Sequence, residues 1–150
     1  MAETLAAYEG DVVAWAQEQA RLLRAHRLDA LDIEHIAEEI EDVGKSEQRE
    51  LANRMAALLA HLLKWQRQLE RRASSWEATI RHQRERVARR LERTPSLKAR
   101  LNDPDYWADA WGDAPEETAR ETGIGFDVLP VECPWTSAEI LDQDYWPEAL

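Results

Sequence analysis

Apolar side chains recur at three-to-four spacing through the first ninety-odd residues, the period of helices with one buried face. Val12, Trp15, Ala16, Gln19, Leu22 and Leu23 predict a first helix over about residues 11–24, with Asp11 placed to cap it. Ile33, Ile36, Ala37, Ile40 and Val43 form a second stripe, on a helix opening near Asp29 or Asp32. Gly44 offers a break or kink after it, and Ser46 could cap a third helix reaching residue 71. That helix lines up Leu51, Met55, Leu58, Leu62, Trp65 and Leu69. Between Met55 and Trp65 only His61 and Lys64 are polar, so it is expected to sit centrally, surrounded by partners. Ser74 with Glu77 three residues on reads as a capping box for a fourth helix, which buries Trp76, Ile80, Val87 and Leu91.

All six prolines lie after residue 94, so long helices are confined to the stretch before them. Thr94-Pro95 and Asp103-Pro104 each read as a cap followed by proline at the first helical position. Short helices are expected over 96–101, 104–111 and 115–122, the last stopped by Gly123, then an extended stretch over 125–134. Thr136 with Glu139 forms a second capping box for a last turn or two. No alternating pattern is long enough for a sheet, and no internal repeat is present. The expected fold is all-α: one domain, 1–150, an irregular helical bundle with long helices in 11–94 and a proline-punctuated tail wrapping it.

Charge changes this picture by region. The 150 residues carry a net charge of −11. Residues 1–50 hold 5 basic and 13 acidic side chains, residues 51–100 hold 13 and 4, and residues 101–150 hold 1 and 13. The acidic flanks are expected to fold back onto the basic middle, and the overall charge opposes binding a polyanion such as nucleic acid. The longest apolar run, 56–63, already contains His61 and falls far short of the roughly 20 residues of a membrane span. Met1-Ala2-Glu3-Thr4 lacks the positive flank and apolar core of a signal peptide, so a cytoplasmic location is expected. A lone Cys133 excludes an internal disulfide and a thiolate zinc cage, and its acidic neighbour Glu132 argues against an activated thiol.

Candidate chemistry is sparse. His35 and Glu39 are one helical turn apart and, with His61, are weak candidates for a metal site; the paired Glu-x-x-His motifs of a di-iron bundle are missing. Arg86, Arg89, Arg90 and Arg93 share one face of the fourth helix, without the interleaved aromatics of a single-strand binder. Glu39 and Arg84 lie at the margins of two core-facing stripes, which predicts an internal polar network pairing them, with His61 completing it. Trp107, Trp111, Trp135 and Trp146, in the tail, either clamp it down or, where exposed, mark a partner surface. No catalytic residue and no cofactor is expected.

The blocks Tyr8-Glu9-Gly10-Asp11 with Trp15, Asp32-Ile33-Glu34-His35-Ile36-Ala37-Glu38-Glu39-Ile40 and His61-Leu62-Leu63-Lys64-Trp65 occur in a characteristic order. Ser75-Trp76 with Thr79-Ile80 and Arg84, Pro95-Ser96-Leu97, and Cys133-Pro134-Trp135 with Ile140-Leu141 follow them. Together they resemble domain of unknown function family 29, over nearly the whole chain; Leu129-Pro130 departs from the phenylalanine that family tends to place before its proline. The resemblance implies an all-helical cytoplasmic bacterial protein with no established activity. Its blocks hold Glu38, Glu39, His61, Trp65, Trp76 and Arg84, a polar cluster or small ligand site. The expected function is a non-catalytic module binding itself or a protein partner through tail tryptophans. The alternatives are a metal-dependent enzyme or a metal- or anion-binding protein using His35, Glu39 and His61, and nucleic-acid binding through the arginine face.

Overall fold

The structure, a computed structural model, describes residues 6–150, so the reading of Met1–Thr4 lies outside the described residues. It is all-α, with no strand among the described residues, and it divides into two compact units, the first ending at Ser46 and the second running Glu47–Leu150.

In the first unit, α1 (Val12–Arg24) opens as expected: the Asp11 carboxylate accepts from the Ala14 amide at 3.1 Å. The turn after it is made by His26 in the left-handed region, φ 54, and a short 3-10 turn at Leu28–Ala30 leads to α2 (Ile33–Arg67). Among the described residues of this unit, Trp15, Gln19 and Leu22 are the buried ones. The stripe predicted to bury Ile33, Ile40 and Val43 does not: they are 67%, 67% and 68% exposed. A helical hairpin covers only one flank of each stripe, and α1 covers the flank carrying His35, Ile36 and Glu39.

Gly44 breaks nothing. Helix α2 runs through it, because one glycine costs about 1 kcal/mol while the residues around it are good helix formers and include no proline. In the second unit, α2 buries Leu51, Met55, Leu58, Leu59, Leu62 and Leu63 completely. Leu69 instead falls in a 3-10 turn, Leu69–Arg71, and is exposed. α3 (Ser74–Arg93) starts one residue earlier than its predicted capping box: Ala73 takes the cap position without a side-chain bond, and Glu77 pairs with Arg81 at 3.1 Å. Ile80, Val87 and Leu91 are buried as predicted.

A 3-10 segment, Pro95–Asn102, connects to α4 (Pro104–Thr122), capped by the Asp103 carboxylate on the Asp105 amide at 3.0 Å. Thr94 makes no such bond. The two short helices expected on either side of Pro115 are one helix. Trp111, Ala114, Pro115 and Thr118 are all buried on one side of it, and this packing offsets the hydrogen bond that proline removes. Gly123, φ 77, ends α4 in the left-handed conformation that glycine adopts at least cost. A turn at Phe126–Val128 and buried Leu129 lead to α5 (Ser137–Leu141), where the Thr136–Glu139 capping box forms in both directions.

Candidate functional sites

The first unit contains a closed polar network. Asp32, just ahead of α2, uses one carboxylate oxygen to accept from the Trp15 indole N–H at 2.9 Å and to bond His35 Nδ1 at 2.7 Å. The Asp32 amide donates to Gln19 Oε1 at 2.8 Å. The His35 ring stacks on Tyr8, centroids 4.3 Å apart, and the Tyr8 hydroxyl donates to Glu39. Hydrogen bonding to Asp32 pushes the His35 pKa up and, reciprocally, holds Asp32 below its ordinary value. The bond to Glu39 pushes Tyr8 up to about 12. Its donors and acceptors are turned on one another, which ties α1 to the start of α2. Glu38, beside it, is exposed.

Arg84 anchors the second unit. It is 1% exposed, its Nε donates to the Ile140 carbonyl at 2.7 Å, and Nη2 reaches the Glu139 carbonyl at 3.5 Å. Both carbonyls lie near the end of α5, where a cation meets the unpaired acceptors of the last turn. Burial lowers the Arg84 pKa, and Asp142 opposes that shift. Beside it the Trp146 ring lies 5.3 Å from the Arg84 guanidinium, 5.1 Å from that of Arg81 and 4.6 Å from the Trp65 ring. Arg72 covers Trp65 at 4.5 Å and donates to its carbonyl at 2.7 Å. Lys64, buried, bonds Glu121 and holds that carboxyl below its usual range, while lying 5.9 Å from the Trp76 ring. His61 Nδ1 meets the Ala57 carbonyl at 2.9 Å, as a hydrogen-bonded helix histidine does. Glu39 and Arg84, expected as an ion pair, thus fall in different units, and each has its own partners there.

The same division applies to the metal candidates: His35 and Glu39 belong to the first unit and His61 to the second. Among the described residues no group of three or more His, Cys, Asp and Glu is placed to hold a metal ion.

Two of the cavities on the second unit measure about 510 Å³ each. One is apolar, lined by Trp107, Trp111 and Trp135 with Leu101, Val131 and Cys133. Trp111 and Trp135 are buried, Trp107 and Trp146 half-buried, so the tail tryptophans do not stand out from the surface. The Trp107 and Trp111 indoles donate to the Leu101 and Pro130 carbonyls. Burial pushes the Cys133 thiol up, which keeps it protonated in this wall. The other cavity is basic, lined by Arg54, Arg86, Arg89, Arg90 and Arg93 with Glu47 and Thr94. Four of those arginines were singled out from the sequence. Arg54 was not: it lies 32 to 39 residues earlier, on α2, and only the packing of α2 against α3 brings it in.

Among its described residues the chain is an all-α protein, with polar clusters between helices and a basic cavity on the second unit. It belongs to the family described as domain of unknown function DUF29, whose family model matches residues 7–146. No curated protein and no solved structure matches it. No helix among the described residues is long and apolar enough to cross a membrane.

Proposed function

We propose that this chain is a non-catalytic, self-associating helical module of the bacterial cytoplasm, and that its first unit pairs with a second copy of itself. The observation that carries this is the exposed stripe of Ile33, Ile40 and Val43 on α2, to which α1 adds exposed Val12 and Leu23. Units of this size lack the core to stand alone, and association is a common remedy. Ile33, Ile40 and Val43 follow one another at seven and three residues, the period of a helix-pair seam. Glu34, Glu38 and Glu41 lie on the far side of α2, so the acidic charge of two copies stays out of that seam. Burying two-thirds-exposed isoleucine and valine side chains contributes about 1–2 kcal/mol each, against association costs of about 4–15 kcal/mol. Several such side chains from each copy give a modest, concentration-dependent dimer. Cys133 is a free thiol, which fits a reducing compartment.

Light scattering and sedimentation across a concentration series test this. The wild-type chain is expected to pass from monomer to dimer, and Ile40→Glu, which puts two carboxylates in the seam, to weaken association by more than about 100-fold. A strict monomer at every concentration overturns the reading. So does a dimer that tolerates Ile40→Glu but is lost with Trp107→Ala, which would move the contact to the tail.

A further inference from the structure

The basic groove stands apart from this reading. Its walls are the second-unit part of α2, carrying Arg54, and the second half of α3, carrying Arg86, Arg89, Arg90 and Arg93. Five guanidinium groups gathered around one cavity repel one another, so their proximity costs stability unless something negative offsets it. The structure supplies part of that offset. Arg90 bonds Glu47 at 2.6 Å and approaches Glu50 at 3.7 Å, Arg54 bonds Glu50 at 3.1 Å, and Arg89 bonds Glu85 at 2.5 Å. Arg86 and Arg93 form no ion pair among the described residues, although both line the cavity. Basic residues in a last helical turn complement the helix dipole, which accounts for Arg90 and Arg93. Arg54 and Arg86 lie outside that turn, and the dipole does not explain them.

We infer that this groove is a binding site for a compact oligophosphate, a short chain of linked phosphate groups. Guanidinium forks match phosphate oxygens two at a time, and Arg54 and Arg90, oriented by Glu50 and Glu47, are set in advance for such contacts. From Arg86 to Arg93 the helix rises only about 10 Å, which suits a short phosphate chain. The lining contains no aromatic ring on which a base could stack and no apolar wall for a lipid chain. Screening limits the groove's field to about 8–10 Å, while the segment 101–150 carries 13 acidic side chains and 1 basic one. A compact anion stays within that field, and a long polyanion extends beyond it.

Titration calorimetry of the full chain with inorganic tripolyphosphate at low ionic strength tests the site. Saturable binding of one ligand per chain is expected, and Arg86→Ala combined with Arg93→Ala should weaken it by at least about tenfold. Both side chains are exposed, so the replacements leave the fold intact, which circular dichroism checks. Arg120→Ala, on exposed α4 surface away from the groove, should bind as wild type. ATP binding as tightly as tripolyphosphate would support recognition of the phosphates alone. Absence of saturable binding, or an unaffected double variant, overturns the inference. It is equally overturned by a single-stranded oligonucleotide that binds tighter than tripolyphosphate with a salt dependence of more than about four phosphates, the signature of a nucleic-acid track.

Discussion

The two units of this molecule solve the problem of holding helices together in opposite ways. The second buries a continuous apolar cluster in which Leu51, Met55, Leu58, Leu62, Ile80, Val87 and Ile140 are sealed from water, and adds Arg84 to cap α5 from inside. Among its described residues the first buries three side chains and relies on polar bonds radiating from Asp32 to Trp15, Gln19 and His35. Dispersion and the hydrophobic effect are additive and insensitive to pH. A network of charged and hydrogen-bonded groups is directional and depends on protonation. Beside that polar network, the first unit leaves the Ile33, Ile40 and Val43 side chains of α2 about two-thirds exposed.

Removing packing from the second unit should have the largest effect. Leu58→Ala is expected to lower stability by about 2–5 kcal/mol, read from chemical denaturation, because Leu58 is fully enclosed. A loss under 1 kcal/mol would mean that the core is looser than its burial indicates. At the boundary of the units, Gly44→Ala should raise stability by about 0.5–1 kcal/mol. Gly44 lies within α2, and a Cβ there meets nothing within 4 Å. A destabilised variant would place a break at Gly44 after all.

The smallest expected effect belongs to the first unit and distinguishes it by its pH profile. The His35 pKa is raised above its ordinary 6.5, so its share of stability is complete below 6.5 and is lost as pH rises through the raised value. Asp32 is lowered below its ordinary 3.8, so its share is present above 3.8 and is lost as pH falls through the lowered value. Amide exchange over residues 12–40 should therefore be slowest, after correction for intrinsic rates, between those two ordinary values, and exchange across α3 should not follow that profile. Asp32→Asn should flatten the dependence. Solvent screens this pair, so the change in protection will be small.

What could be foreseen from the sequence follows from the range of the forces involved. The Asp11 cap, the Gly123 stop and the Thr136–Glu139 box depend on neighbours within four residues, and they form. Arg84 at the margin of its stripe marked it as special, because a charge beside a core must find a partner. Its partners, the carbonyls of Glu139 and Ile140, are main-chain atoms some fifty-five residues away and carry no signature of their own. Gly44, Pro115 and Ser74 misled for the opposite reason: each is a local signal overridden by the packing or continuity of the helix around it. Amphipathic spacing identifies a stripe as apolar but not what covers it, so the exposure of Ile33, Ile40 and Val43 was invisible. The stacking of Tyr8 on His35 was equally so, since it depends on how α1 meets α2.

One detail of the second unit gives the molecule a built-in optical gauge. Trp146, near the end of the described chain, lies within 5.3 Å of two guanidinium groups and is tilted at 44° against a second indole. Neighbouring cations alter indole emission, and two coupled indoles rotate polarised ultraviolet light in a way neither does alone. Release of the last dozen residues would therefore change the colour and brightness of the intrinsic signal without any attached dye, and the fastening of that segment can be followed in the unmodified protein.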